Sequence, residues 1–153
     1  MPPTIVSDTS CLILLKQIGE FDLLQKLFGT VIITAIIADE FGETILPHWI
    51  TVENPKDKRQ EKFLASLLHK GEASAIALAM EKGNCLLIID EYKGRKMAKQ
   101  LDIIITGTLG VLAQAKAKGY IPLLRPLIDR IRQTNFRLSE DLIQATLKQI
   151  GEL

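Results

Sequence analysis

The chain has 153 residues, 47% hydrophobic but only 5% aromatic, and its 19 basic and 18 acidic side chains leave a net charge of +1. That length predicts one domain with a core of Ile, Leu, Val and Ala, and the charge balance carries no nucleic-acid signature at the level of composition. No apolar run approaches the roughly eighteen residues of a membrane span, no charged segment leads into a secretory stretch, and Cys11 and Cys85 sit in apolar sequence, so the expectation is a soluble, cytosolic protein with buried reduced thiols.

Thr4-Ile5-Val6-Ser7 reads as a buried first strand that stops at Asp8, with the hydroxyls of Thr9 and Ser10 behind it. Ser10 to Ile18 predicts a helix ended by Gly19, and Phe21 to Leu27 a second ended by Gly29. The β-branched run from Thr30 to Ile33 predicts another strand, after which Thr34 caps a helix through Glu40 to about Gly42. Pro47 breaks the chain; a short edge strand is expected from Trp49 to Val52 and a helix from Lys56 to Leu68. The alanine-rich stretch from Glu72 to about Gly83 predicts a helix able to approach the sheet closely. Leu86-Leu87-Ile88-Ile89 repeats the opening pattern, four aliphatics and then Asp90 and Glu91. A basic helix from Glu91 to Leu101, a strand from Ile103 to Ile105 and a helix from the Thr106-Gly107-Thr108 turn to Lys118 continue the alternation. That alternation predicts an α/β fold, a parallel sheet covered on both faces, over residues 1–120. From Pro122 only helical patterns remain, with Ser139 and Asp141 marking the last start, so 121–153 is expected to add helices to the same domain.

In open parallel sheets ligands bind at the carboxyl ends of strands, so Asp8 and Asp90 are candidates for one cluster. At about 100° per residue, Glu40 shares a stripe with Ile36 and Ile37 while Asp39 falls outside it, and Glu72 shares a side with Ile76 and Met80. Taken singly, each acid has a structural explanation. Asp8 or Ser10 would cap the first helix, Glu72 would suit a first helical turn, and Glu91 would pair with Arg95 one turn on. Four acids near one sheet edge, however, repel each other unless a cation compensates. Oxygen donors without His or Cys point to Mg²⁺ or Mn²⁺, which suits phosphate chemistry. His48 and His69 have no ligand spacing and receive no role. The turn around Gly107 and Gly110 has neither dinucleotide nor Walker spacing and reads as a tight strand-to-helix turn. The clusters Lys56/Lys58/Arg59/Lys62, Lys93/Arg95/Lys96/Lys99 and Arg125/Arg130/Arg132/Arg137 each read as solvated helix faces.

In order along nearly the whole chain, Asp8-Thr9-Ser10, Glu40 after a Val-Ile-Ile-Thr run, Gly71-Glu72-Ala73-Ser74-Ala75-Ile76-Ala77 and Ile88-Ile89-Asp90 resemble the PIN domain. Gly94-Arg95 with Ala98, and Thr106-Gly107-Thr108 followed by Gly110-Val111-Leu112, resemble a prokaryotic PIN subgroup described as predicted nucleic-acid-binding proteins. The resemblance implies a Rossmann-like α/β/α sandwich with a Mg²⁺- or Mn²⁺-dependent ribonuclease site. It implies Asp8, Glu40, Glu72 and Asp90 as catalytic and metal-binding acids, with Thr9 or Ser10 helping to orient ligands or water; Glu91 and Arg95 are further candidates for a supporting role. Glu72 departs from VapC-type toxins, whose third acid is usually Asp, and the extended C-terminus departs as well.

The leading expectation is hydrolysis of single-stranded RNA, with Arg95 either contacting phosphate or pairing with Glu91; a toxin paired with a protein antitoxin is one form of it. The alternative is a non-catalytic RNA-binding or partner-binding module, and a phosphoacceptor at Asp8 or Asp90 ranks third. Apolar C-terminal helices and the resembling family both favour a homo-oligomer.

Overall fold

The computed structural model describes residues 2–153. In chain order the elements are β1 (Thr4–Ser7), α1 (Thr9–Gln17), α2 (Leu23–Phe28), β2 (Val31–Ile33), α3 (Ala35–Phe41), β3 (Ile50–Val52) and α4 (Lys58–Ala65). They continue with α5 (Lys70–Lys82), β4 (Cys85–Ile88), α6 (Tyr92–Gln100), β5 (Ile104–Thr106), α7 (Thr108–Ala117), α8 (Arg125–Arg132) and α9 (Glu140–Gln149). The five strands form one parallel sheet in the order β3-β2-β1-β4-β5. Successive strands therefore build leftward from β1 and then cross over to build rightward from β4. The order reverses between β1 and β4, and in such sheets the crevice at the reversal is where ligands bind.

Composition follows position in the sheet. β1 and β4 are central, and Ile5, Val6, Leu87 and Ile88 are buried; the edge strands β3 and β5 leave Val52 and Ile104 exposed. α5 lies on β1 and β4 with α3, α4 and α6 around it, while α7 packs against α2, β5 and α9. The small residues of α5 permit its close approach, since Gly71 and every residue from Ala73 to Ala79 are buried.

Several boundaries differ from the sequence reading by one to three residues, three of them for an evident local reason. α1 begins at Thr9, because Asp8 rather than Ser10 is its N-cap. The helix expected from Lys56 to Leu68 runs only from Lys58 to Ala65, capped by the Asp57 side chain. The last strand starts at Ile104, one residue late, because Asp102 takes a left-handed turn with φ 59° after α6.

The C-terminal helices share the core of the sheet: Ile121, Leu124, Leu127, Ile128, Ile131, Ile143 and Leu147 are buried in the same cluster as the strands. Glu152 fastens the end of the chain. Its carboxylate accepts from Lys116 Nζ (2.8 Å) and from the amides of Leu124 (2.6 Å) and Arg125 (3.1 Å), while its carbonyl accepts from the Arg125 guanidinium. Cys11 and Cys85 are buried and form no disulfide. Among the described residues, no helix is long and apolar enough to cross a membrane.

Candidate active site

The end of β1 and the end of β4 are tied through one carboxylate. Asp8 Oδ1 accepts from the Cys11 amide at 3.0 Å, closing the first turn of α1, and Asp8 Oδ2 accepts from the Asp90 amide at 3.0 Å. Asp90 is fixed in turn by Thr108, whose amide donates to Oδ1 (2.8 Å) and whose hydroxyl donates to Oδ2 (2.6 Å). The two aspartates thus meet where the strand order reverses, each oriented by hydrogen bonds rather than left to rotate.

Glu40 and Glu72 arrive on helices. Thr34 caps α3 and shares a 2.7 Å hydrogen bond with Ser74 of α5, which holds the two helices in register. Glu40 Oε1 accepts from the Thr9 hydroxyl at 2.5 Å and abuts Gly71, so Glu40 turns towards Asp8's neighbour and Glu72's neighbour. Glu40 and Asp39 are both exposed, so the stripe that separates them does not bury Glu40; what distinguishes it is the Thr9 bond, and among the described residues no hydrogen bond ties Asp39 to this corner. Glu72 Oε1 is buried without a hydrogen-bond partner. Glu91 caps α6 through its bond to the Gly94 amide (3.0 Å) and lies near enough to Glu72 to raise its pKa. The alternative pairing of Glu91 with Arg95 is not made. Arg95 instead donates to the Ile89 carbonyl at 2.7 Å, with its guanidinium beside Asp90. Ser10 is exposed on α1, and His69 is the N-cap residue of α5, where its charge favours ionised Glu72.

Glycines make room around these carboxylates. A Cβ at Gly71 would strike Glu40 and one at Gly107 would lie 2.8 Å from Asp90 Oδ1 and 3.0 Å from Arg95 Nη1, while one at Gly94 would first strike Ile89 Cδ1 at 2.6 Å and then lie 3.3 Å from Glu72 Oε2. The roles of Thr108 and of these glycines escape a reading by spacing, because each acts on an acid from another element.

The electrostatics are those of crowded acids. Burial, then the charge of Asp90, pushes Asp8 from its ordinary 3.8 up to about 7, with the Cys11 and Asp90 amides pulling back. Burial raises Asp90 too, against the Thr108 bonds and Arg95, and burial followed by the Glu91 charge raises Glu72. Cys11 is pushed well above its usual value, by burial first and then by both aspartates, so its thiol stays protonated.

A protein-family comparison matches residues 4–152 to a family described as a PIN domain. The chain belongs to that family. No curated protein and no solved structure matches it. PIN domains are generally nucleases and typically use divalent metals, so this PIN domain's acid corner is its candidate catalytic centre. Among the described residues no three His, Cys, Asp or Glu side chains form a ready-made ion site. The donors nevertheless fit a hard cation: all are carboxylate oxygens, burial disfavours the charges of Asp8, Asp90 and Glu72, and one buried oxygen of Glu72 lacks a hydrogen-bond partner among the described residues. The oxygens of Asp8 and Asp90 each accept hydrogen bonds, but a carboxylate oxygen keeps a second lone pair for another partner.

Proposed function

We propose that the protein is a Mg²⁺- or Mn²⁺-dependent ribonuclease that hydrolyses phosphodiester bonds of single-stranded RNA. The observation that carries this reading is the acid corner at the strand-order reversal, where Glu72 Oε1 is buried and unpartnered. Asp8 and Asp90 would hold the ion from rigid positions, and the longer Glu40 and Glu72 would complete the set. Bound there, the ion would lower the pKa of a water and neutralise charge on the phosphate. The chain's own residues do the positioning. Thr108 and the Asp90 amide fix the two aspartates, Thr9 orients Glu40, and Arg95, anchored on the Ile89 carbonyl, presents positive charge beside Asp90 for a phosphate oxygen.

The test compares wild type, Asp8→Asn and Glu72→Gln on single-stranded RNA with Mn²⁺, Mg²⁺ or EDTA, after circular dichroism shows all three folded. Cleavage is expected only in wild type with metal, and the variants should lose it by at least a hundredfold or so. Cleavage that survives both EDTA and Glu72→Gln would remove the acids from the chemistry. A folded wild type that binds Mn²⁺ and cuts no RNA would make the protein a binding module that keeps the PIN fold.

A further inference from the structure

A groove of about 580 Å³ leads away from Asp90, and its far wall belongs to the C-terminal segment. Asp90 and Arg95 line it together with Thr106, Gly107 and Gly110 of the β5–α7 turn, and the C-terminal segment contributes Phe136, Arg137, Leu138 and Leu142. Two of the lining residues, Gly107 and Gly110, have no room for a side chain. A Cβ on Gly107 would meet Asp90 and Arg95, and one on Gly110 would meet the Thr106 hydroxyl. Apart from Asp90, the charged groups lining the groove are both cations, Arg95 and Arg137.

Arg137 differs from the other C-terminal arginines. Arg125 is bound to Glu152, Arg130 to the Ile18 carbonyl and Glu20, and Arg132 to Glu140. Arg137 has no carboxylate partner among the described residues; it is exposed and donates only to the Thr134 carbonyl, at 3.2 Å. Across the groove Tyr92 leaves 73% of its surface in solvent, at the start of the helix that carries Arg95. Phe136 is half-buried in the facing wall. Cations spaced along a groove with aromatic rings at its sides are the elements that bind a single strand, by phosphate contact and base stacking.

We propose that residues 136–149 form the second wall of the substrate groove, with Arg137 binding a backbone phosphate of single-stranded RNA and Tyr92 and Phe136 stacking on its bases. This rests on the ribonuclease reading, and it gives the C-terminal helices a direct part in holding substrate. The groove fits RNA better than a protein segment because Arg137, which no carboxylate pairs among the described residues, and Arg95 both line it, and because it includes Asp90 of the proposed phosphodiester site.

The experiment measures binding apart from cleavage. Asp8→Asn protein is titrated against fluorescein-labelled oligouridylate and a labelled mixed-sequence RNA by anisotropy, over a series of salt concentrations. Arg137→Ala in that background is expected to weaken binding several-fold on both RNAs and to reduce the salt slope by about 0.7, with Arg137→Lys keeping the slope. Tyr92→Ala is expected to weaken binding roughly tenfold and Tyr92→Phe to restore it, as stacking requires the ring and not the hydroxyl. If Asp8→Asn binds RNA and the Arg137 and Tyr92 variants bind equally well, the groove assignment falls while the ribonuclease reading stands. If wild type neither binds nor cuts RNA, both fall.

Discussion

A methyl group added at Gly107 would sit within contact distance of both Asp90 Oδ1 and Arg95 Nη1. Asp90 has little freedom to yield, because Thr108 bonds to both its oxygens. The backbone itself would accept the change, since Gly107 has φ −115° and ψ −176°, ordinary extended values. Gly107→Ala is therefore expected to lower metal-dependent RNA cleavage by roughly tenfold to a hundredfold while circular dichroism stays that of wild type, because small displacements of a reacting group cost that much. A wild-type cleavage rate would show that Asp90 does not need its present position. At this scale the sequence was legible where a local rule decided the outcome. Helical angle separated Glu40 from Asp39, and the abrupt polar ends of two aliphatic runs marked Asp8 and Asp90. It was silent where the partner is distant in sequence, as with Thr108, eighteen residues beyond Asp90. The local rule also failed once, for Glu91 and Arg95: an N-cap carboxylate is taken up by the Gly94 amide, and the nearby Ile89 carbonyl claims the guanidinium.

At the level of elements, the fastening of α8 and α9 depends on Glu152. Its carboxylate collects one ammonium and two amides, and no local pattern announces such a residue. Glu152→Ala is expected to cost about 2 kcal/mol in chemical denaturation and to speed hydrogen exchange in α9, since it strands Lys116 and two amides. Burial raises this acid, but Lys116 and the amides outweigh it and hold the folded value below the ordinary 4.5. Its stabilisation is consequently present at neutral pH and lost as pH falls through that low folded value. Wild type and Glu152→Ala should converge in stability at acid pH; a constant difference would mean that the carboxylate's charge contributes nothing. The strand and helix sequence was readable because buried strands and amphipathic helices differ in period. The one-residue and two-residue shifts at Thr9, Lys58 and Ile104 arise from caps and a left-handed Asp102, which periodicity does not register.

For the molecule as a whole, the acid corner acts with the opposite sign. Asp8 ionises near 3.8 when unfolded and near 7 when folded, so the folded state binds more protons between those values. Stability from this group is full at low pH and is lost as pH rises through that window, by a few kcal/mol at most. Metal-free protein should melt at a lower temperature near pH 8 than near pH 5, and Mn²⁺ should recover the difference chiefly at the higher pH. A melting temperature indifferent to Mn²⁺ at both values would contradict the charge compensation. Strand and helix alternation made a parallel sheet covered on both faces legible, whereas the strand order that creates this corner and the groove beside it depend on contacts distant in sequence. Asp8, finally, has two employments. The carboxylate that faces the site also closes α1 and pins the Asp90 amide, whereas Glu72 Oε1 satisfies no structural bond. Losing Asp8 would therefore unfasten α1 and the Asp90 turn along with the acid corner, whereas the Oε1 that Glu72 brings there holds nothing in place.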